Sequence, residues 1–173
     1  MDDNVTFLLK LLDEHGAKLL GLFTRLTLCA ADAEDLLQEL FLKLRDANGF
    51  ARAQNPKAYA FRTAIHLAFD WRRKRQSTEL LSIELQARSD SAIDRLISAE
   101  EFEEVLNVVQ SLPSLCREVV VLRFLEHQEY PEIARHVGKT EHQVRGLCAR
   151  AMTQLRSEFR PTAKISDIGV SEP

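Results

Sequence analysis

The sequence predicts an all-α protein made of two small helical bundles joined by a linker, the second bundle containing a helix-turn-helix. Three observations support this fold class. Apolar residues recur at helical spacing along most of the 173 residues. No segment has the alternating pattern of a convincing strand. The stretch STELLSIELQARSDS, residues 77–91, is polar and poorly periodic, which is typical of a linker.

Three helices are predicted in the first bundle, residues 1–76. The first helix covers about residues 4–28, where leucines and phenylalanines repeat on one face. Asp32 is the expected N-cap of the second helix, which ends near the glycine of ANGF. In NPKAY, Asn55 can cap the third helix and Pro56 suits its first position, because proline needs no hydrogen-bond partner there.

The second bundle, residues 92–160, is predicted to hold four helices, followed by a flexible tail at 161–173. Gly138 suits the position just after a helix, where a left-handed backbone is favoured. Thr140 and Gln143 form a capping-box pattern at the start of the last helix. The four helices are expected at about residues 92–110, 114–125, 131–137 and 141–159.

Composition excludes several classes of protein. The formal charge of −3 argues against a uniformly cationic coat for nucleic acid, although local basic patches remain possible. No apolar run is long enough to span a membrane, and MDDNVTF lacks the basic start of a signal peptide. Cys29, Cys116 and Cys148 fit neither a disulfide framework nor a metal site. We therefore expect a protein of the reducing cytoplasm.

No catalytic or cofactor motif is present in the sequence. The five histidines are scattered, and glycine-rich phosphate loops, HEXXH and GXSXG are absent. A row of carboxylates in the fourth helix is typical of a solvated face: Glu100, Glu101, Glu103 and Glu104. We therefore expect no enzyme, no cofactor and no bound metal.

The second helix, DAEDLLQELFLKL, has two distinct faces. Leucines and Phe41 form the stripe that should face the core. Asp35, Gln38, Glu39 and Leu42 share the opposite face, since they are spaced at i, i+3, i+4 and i+7. A solvated face would account for the charges but not for an exposed leucine, so a protein-binding face is the alternative.

Basic and aromatic residues alternate in RTAIHLAFDWRRKRQ of the third helix. Cations can track phosphates and rings can stack on bases, as single-stranded nucleic acid requires. The alternative is structural: cations complement the dipole of a helix C-terminus, and most of the aromatic rings would belong to the core.

The segment EYPEIARHVGKTEHQVRGLCARAMTQLR predicts a helix-turn-helix. Its second helix would present Glu141, His142, Gln143 and Arg145 near the groove of DNA, where arginine pairs with guanine and glutamine with adenine. An ordinary antiparallel helix pair remains the alternative for this stretch alone.

These three motifs, in this order, resemble the extracytoplasmic-function (ECF, group 4) branch of the bacterial sigma-70 family over about residues 5–158. DAEDLLQELFLKL is similar to region 2.2 and NPKAYAFRTAIHLAFDWRRKR to regions 2.3 and 2.4. The segment from LPSLCREVV to AMTQLR is similar to region 4. Tyr59 stands where the family usually has tryptophan, and His66 where it usually has asparagine.

The resemblance implies a sigma factor that directs promoter-specific initiation by core RNA polymerase. It implies contacts with the β′ and β subunits, with promoter DNA, and with an anti-sigma factor. The implied core-binding residues are Asp35, Gln38, Glu39 and Leu42. The implied −10 residues are Tyr59, Arg62, His66, Asp70, Arg72, Arg73 and Arg75. The implied −35 residues are Glu141, His142, Gln143, Arg145 and Arg150.

Two alternatives differ in function. A sigma mimic would bind an anti-sigma factor and never engage promoters, and the weakly basic recognition helix is compatible with it. An ordinary helix-turn-helix regulator would explain residues 92–160 and leave the first bundle without a role.

Overall fold

A computed structural model of the chain describes residues 3–79 and 93–158, and these residues form seven helices without a strand. The all-α prediction is thus confirmed. The helices are α1 (Asp3–Thr27), α2 (Ala30–Asp46), α3 (Pro56–Glu79), α4 (Ile93–Ser111), α5 (Ser114–Phe124), α6 (Tyr130–Val137) and α7 (Glu141–Glu158).

Helices α1, α2 and α3 pack against one another as the first bundle. Their shared interior holds phenylalanine and leucine side chains from all three helices, because each helix carries one apolar stripe. Phe50, from the loop between α2 and α3, is also fully buried and closes one end of this core. The opposite faces of the helices remain available for polar and functional residues.

The expected N-cap at Asp32 is wrong, because the N-cap is Cys29, three residues earlier, and α2 begins at Ala30. Leu28 has a left-handed backbone (φ 59°), which turns the chain sharply after α1. The Thr27 hydroxyl donates to the Cys29 carbonyl and accepts a hydrogen bond from the Cys29 amide. This local turn starts the helix early, so Asp32 lies within the first helical turn. There its negative charge interacts favourably with the positive end of the helix dipole.

The start of α3 follows the sequence prediction. Asn55 Oδ1 accepts a hydrogen bond from the Ala58 amide at 3.0 Å, and Pro56 is the first helical residue. The helix continues to Glu79, so the first three residues of the expected linker are helical. The rest of that linker and the expected tail lie outside the described residues, and the proposed domain boundaries stay predictions.

The second bundle contains α4 to α7, with α6 and α7 forming the predicted helix-turn-helix. Gly138 takes the left-handed conformation (φ 66°) that ends α6. The capping box of α7 is confirmed, since Gln143 N donates to Thr140 Oγ1 (3.2 Å) and Thr140 N to Gln143 Oε1 (3.0 Å). A second capping box, formed by Glu129 and Glu132, starts α6 one residue earlier than expected.

The two bundles contact each other directly, with α3 packed against α5. Their buried side chains belong to one continuous apolar cluster. Sequence periodicity identifies the apolar face of each helix but does not reveal this contact between the bundles.

Candidate protein and nucleic-acid interfaces

The outward face of α2 is exposed as the sequence predicts. Asp35, Gln38, Glu39 and Leu42 are all exposed, and Leu42 leaves 47% of its surface to solvent. Glu39 approaches Lys43 at 3.8 Å, a solvent-screened pair that leaves the carboxylate accessible. An exposed leucine beside carboxylates and an amide offers apolar and polar contacts to a protein partner, which is the arrangement that a docking face requires.

Tyr59 lies near the start of α3 with 37% of its surface exposed. Its ring packs at a tilt on the buried Phe50 ring, with centroids 5.9 Å apart. The tyrosine is therefore supported from below and accessible from outside, as stacking on an unpaired base requires. His66 and Asp70 are also exposed farther along the helix.

Arg73 and Arg75 lie on the surface at the end of α3. Arg73 pairs with Asp70 at 2.9 Å, one turn earlier on the same helix. Arg75 lies 5.1 Å from the centre of the Trp71 ring and 3.7 Å from a carboxylate oxygen of Asp32. Both cations have local partners that hold their positions, and both remain open to solvent.

Arg72, expected in the same basic cluster, is instead buried at 2% exposure. Its guanidinium donates to the Leu26 carbonyl at 2.9 Å, to Glu103 Oε1 at 2.8 Å and to Asn107 Oδ1 at 3.0 Å. An arginine supplies five donors in a fixed fork, which suits this set of acceptors from two other helices. Arg72 is therefore not a surface cation in this arrangement, unlike Arg73 and Arg75, with which the family resemblance groups it.

Helix α7, the second helix of the helix-turn-helix, presents most of its predicted residues to solvent. His142, Gln143, Arg145 and Arg150 are exposed, and Glu141 is half-buried. Gln143 uses its side chain in the helix cap. Arg145 bonds Glu141 at 2.7 Å.

Tyr130 braces the same arginine from α6. Its ring lies 4.4 Å from the guanidinium of Arg145 and 4.7 Å from that of Arg123, so it is held between two cations. These contacts pre-orient Arg145, and a base edge or phosphate would have to compete with Glu141 for it.

A buried carboxylate joins the two bundles. Glu118 of α5 is 2% exposed, and Arg62 of α3 donates to both of its oxygens at 3.1 and 3.2 Å. Burial raises the pKa of Glu118, and the charge of Arg62 opposes that rise. Glu118 is buried and Arg62 is only partly buried, so the chief role of Arg62 in this pair is to compensate the buried charge of the Glu118 carboxylate.

His136 of α6 is also buried between the bundles, edge-on to Phe61 with ring centres 6.0 Å apart. Burial lowers its pKa to about 4, assisted by the positive charges of Arg62 and Lys57. The imidazole is therefore neutral at pH 7.

The sequence did not indicate the residues that hold the bundles together. Glu103, expected on a solvated face, bonds Arg72, while Asn107 of the same helix also bonds Gln76. Arg117 lies over the Phe69 ring at 5.0 Å. One signal was available: Glu118 stands in the apolar run of REVVVLRF, where a carboxylate is expected to need a buried partner.

Neither a cluster of metal-ligating side chains nor a membrane-spanning helix is present among the described residues. No three histidine, cysteine, aspartate or glutamate side chains within residues 3–79 and 93–158 are grouped as metal ligands. In the same part of the chain, no helix combines the length and apolar character needed to cross a bilayer.

Comparison with protein families matches both bundles. A model of sigma-70 region 2 matches residues 11–78, and a model of sigma-70 region 4 matches residues 102–155. The chain belongs to the bacterial sigma-70 family. The first match includes α2 and α3, and the second includes the helix-turn-helix, so this sigma-70 protein carries both regions in the expected order.

Two curated relatives support placement in the ECF branch. The chain is 29% identical over 132 residues to the RNA polymerase sigma-E factor of Streptomyces avermitilis, covering 74% of this chain and 71% of that protein. It is 28% identical over 139 residues to the probable RNA polymerase sigma factor RfaY of Xanthomonas campestris pv. campestris. That match covers 75% of this chain but 34% of RfaY, so the sigma-70 protein spans about a third of that relative.

Among solved structures, the fold is similar to CnrH in its complex with the cytosolic domain of CnrY. The TM-score is 0.53 with 20% sequence identity, covering 90% of this chain and 89% of the other. At that identity the likeness describes the fold.

Proposed function

We propose that this chain is an ECF sigma factor, which binds core RNA polymerase and directs it to promoters with particular −10 and −35 elements. Region 2 and region 4 matches in the order of the family, each with its predicted surface exposed, are the main support. The exposed face of α2 would bind the β′ subunit, and region 4 would contact the β subunit. The protein would act in the cytoplasm without catalysing a covalent reaction.

Promoter recognition is proposed for α3 and α7. Tyr59 would stack on an unpaired base of the −10 element, with His66, Asp70, Arg73 and Arg75 on the same helix. Residues at the start of α7 would enter the major groove of the −35 element: Glu141, His142, Gln143, Arg145 and, one turn later, Arg150. All of these side chains are exposed except Glu141, which is half-buried, and this exposure supports the assignment.

Arg62 and Arg72 pose a separate question, because both are already bonded to residues of the second bundle. Arg72 is buried with both of its terminal nitrogens bonded, and the Nε of Arg62 is bonded to Glu118, so a phosphate would have to compete with these carboxylates. We propose that binding to polymerase separates the bundles and gives promoter DNA access to this side of α3. An anti-sigma factor that holds the chain in a closed form would then block initiation.

Transcription in vitro tests the proposal. Purified chain and core polymerase are incubated with a randomised promoter library, and the transcripts are sequenced. We expect enrichment of one −35 and one −10 sequence that core polymerase alone does not produce. Equal transcript profiles with and without the chain would contradict the proposed function.

The sigma-mimic alternative has one specific observation in its favour: Gln143 is used in the cap and Arg145 is paired with Glu141. A gel shift on the enriched promoter distinguishes the classes. The chain is incubated with this DNA in the presence and in the absence of core polymerase. A sigma factor shifts the DNA only when core polymerase is present, and an ordinary regulator shifts it without polymerase. A sigma mimic shifts it under neither condition.

A further inference from the structure

Three aromatic rings pack side by side at one end of the first bundle, each tilted relative to the next. Phe50 is fully buried, and it packs on Phe7 of α1 at 5.7 Å and on Tyr59 of α3 at 5.9 Å. Phe7 is 40% exposed, so it resembles Tyr59 in having one supported side and one side open to solvent. The promoter motifs of the sequence account for Tyr59 and leave Phe7 without a role.

Phe7 opens onto a groove lined by lysines. A shallow cleft of about 250 Å³ is lined by Phe7, Lys10, Asn55 and Lys57 among others. A larger cleft of about 720 Å³ continues from it, since Asn55 and Lys57 line both, and it adds Lys18 of α1. The opposite wall of this cleft comes from residues 125–136 of the second bundle, so separation of the bundles would leave the three lysines together on the open surface of the first bundle. Lys10 and Lys18 are eight residues apart on one helix, so they are separated by about 12 Å along its axis.

The two clefts carry a net positive charge, because their basic lining residues (Lys10, Lys18, Lys57, Arg25 and Arg135) outnumber their carboxylates (Glu14, Glu126 and Glu132). Within residues 3–79 and 93–158, Lys10, Lys18 and Lys57 form no ion pair with a carboxylate. Arg25, at the far end, is already paired with Glu126. Lys10 and Lys18 are exposed and Lys57 is half-buried, and all three are therefore available to an anionic ligand.

The histidine beside the groove responds to this charge. The pKa of His15 is lowered by burial first, and then by the positive charge of Lys57 and Lys18, while Glu14 opposes the shift. Lysines from two different helices thus lower the pKa of the same imidazole, which agrees with their position along one groove.

We propose that the groove of Phe7, Lys10, Lys18 and Lys57 binds single-stranded nucleic acid, with a base on Phe7 and the backbone phosphates along the lysines. This deepens the proposed function and rests on it, because the strand would be the one that Tyr59 engages in an opened promoter. A flexible strand can place a base and successive phosphates independently, whereas an acidic peptide would use the lysines and gain nothing specific from an exposed aromatic ring.

The test uses holoenzyme assembled from the full chain and core polymerase. The probes are a forked promoter DNA, whose non-template strand is single-stranded downstream of the −10 element, and the same promoter as a full duplex. Lys18→Gln with Lys57→Gln removes two charges from the groove. Arg45→Gln with Arg156→Gln removes two exposed charges elsewhere and serves as the matched control.

For the forked probe we expect weaker binding by the lysine variant and a shallower dependence of log affinity on log salt. Each lost contact to a single strand changes that slope by about 0.7, so two contacts change it by about 1.4. The control variant should match the wild type. Unchanged affinity and slope in the lysine variant would overturn the proposal, as would an equal loss on the full duplex.

Phe7→Leu tests the stacking contact while keeping an apolar side chain against Phe50. We expect roughly a fivefold loss of affinity for the forked probe, the lower end of what one base gains on an aromatic ring. Loss in the lysine variant with none in Phe7→Leu would indicate phosphate contacts without a base on Phe7 and would overturn the proposal. If the wild-type holoenzyme itself binds neither probe, the proposed function fails instead.

Discussion

Burial separates Arg72 from the exposed Arg73, although the two are adjacent in RRKR. Arg72 enters the interior because α3 turns that position toward α1 and α4, whose carbonyl, carboxylate and amide groups accept its hydrogen bonds. Arg73 points outward and contacts Asp70 on its own helix. Neighbouring cations in a basic cluster therefore have different physical roles, which burial decides.

Substitution should distinguish the two roles. We expect Arg72→Ala to lower the free energy of unfolding by about 3 kcal/mol, because it removes a buried hydrogen-bonding hub and leaves its acceptors unpaired. Arg73→Ala should change stability by less than about 0.5 kcal/mol. It should weaken promoter binding by the holoenzyme and make the dependence of log affinity on log salt shallower, because a phosphate contact is lost. Urea unfolding and salt titration measure the two effects; equal stability of the two variants would contradict the assigned roles.

His136 should make stability depend on pH. Its pKa is about 4 in the folded protein and 6.5 as the ordinary value, so between these values the unfolded chain binds more protons. Stability is then complete above about pH 6.5 and falls with acidification, by up to about 1.4 kcal/mol per pH unit. The raised pKa of Glu118 acts in the opposite direction.

His136→Gln removes only the histidine contribution, since Glu118 is present in both proteins. We expect the stability difference between wild type and this variant to shrink or reverse as the pH falls from 7 to 4.5, measured by urea unfolding at each pH. A constant difference across that range would show that His136 titrates normally.

At the scale of elements, one face of α2 packs into the core of the bundle and the opposite face is the proposed binding surface. Leu36, Leu40 and Leu44 are buried and hold the helix in the bundle, whereas the row from Asp35 to Leu42 is exposed. Surface charges can therefore be reversed without disturbing the core.

We expect Asp35→Arg and Glu39→Arg to abolish binding to core polymerase while leaving the helical circular-dichroism signal unchanged. Reversed charge would repel the basic groups that the proposed docking face addresses. Glu34→Arg, an exposed change in the same helix but outside the row, is the matched control. Native affinity of both reversals for core polymerase would remove α2 from the docking surface.

The start of α7 makes a similar prediction about DNA. Arg145 is the only arginine or lysine among residues 141–146, and its position is braced by Tyr130. If it pairs with a guanine edge, Arg145→Ala should relax preference at one or two −35 positions, by about 1–3 kcal/mol.

A promoter-library profile of wild type against Arg145→Ala measures this preference. A uniform loss at every −35 sequence would instead indicate a phosphate contact. No change at all would favour the sigma-mimic alternative.

For the whole molecule, the contact between the bundles is the decisive feature. Glu118 of α5 bonds Arg62, and Glu103 of α4 bonds Arg72. The family resemblance assigns both arginines to −10 DNA. In this closed arrangement Arg72 is buried and the Nε of Arg62 is bonded to Glu118, so DNA would have to displace these contacts to engage both residues fully.

Arg62 and Glu118 allow this contact to be tested. Arg62→Ala leaves the Glu118 carboxylate buried without its cation, so we expect a loosened interface and a loss of about 3 kcal/mol of stability. Adding Glu118→Gln should recover much of that loss, because a neutral amide is cheaper to bury. Urea unfolding and fluorescence energy transfer between labels on the two bundles provide the measurements. Identical behaviour of the single and double variants would show that the pair does not hold the interface.

The local sequence determines the helices of this protein and most of their ends. Helical periodicity, the caps at Asn55 and Thr140, and the left-handed Gly138 depend on residues within a few positions of one another, so the sequence predicts them correctly. The exposed row on α2 follows from the same spacing. The start of α2 was missed because a hydroxyl at Thr27 closes the preceding turn, a local detail that the cap pattern at Asp32 concealed.

Only the tertiary structure decided which polar residues meet. Arg72 with Glu103, and Arg62 with Glu118, join residues 31 and 56 positions apart, and helical spacing carries no information about contacts at that separation. The groove beside Phe7 likewise combines lysines of α1 and α3. Burial and charge pairing depend on how whole helices pack, and that packing determines which cations are buried and which remain available to a ligand.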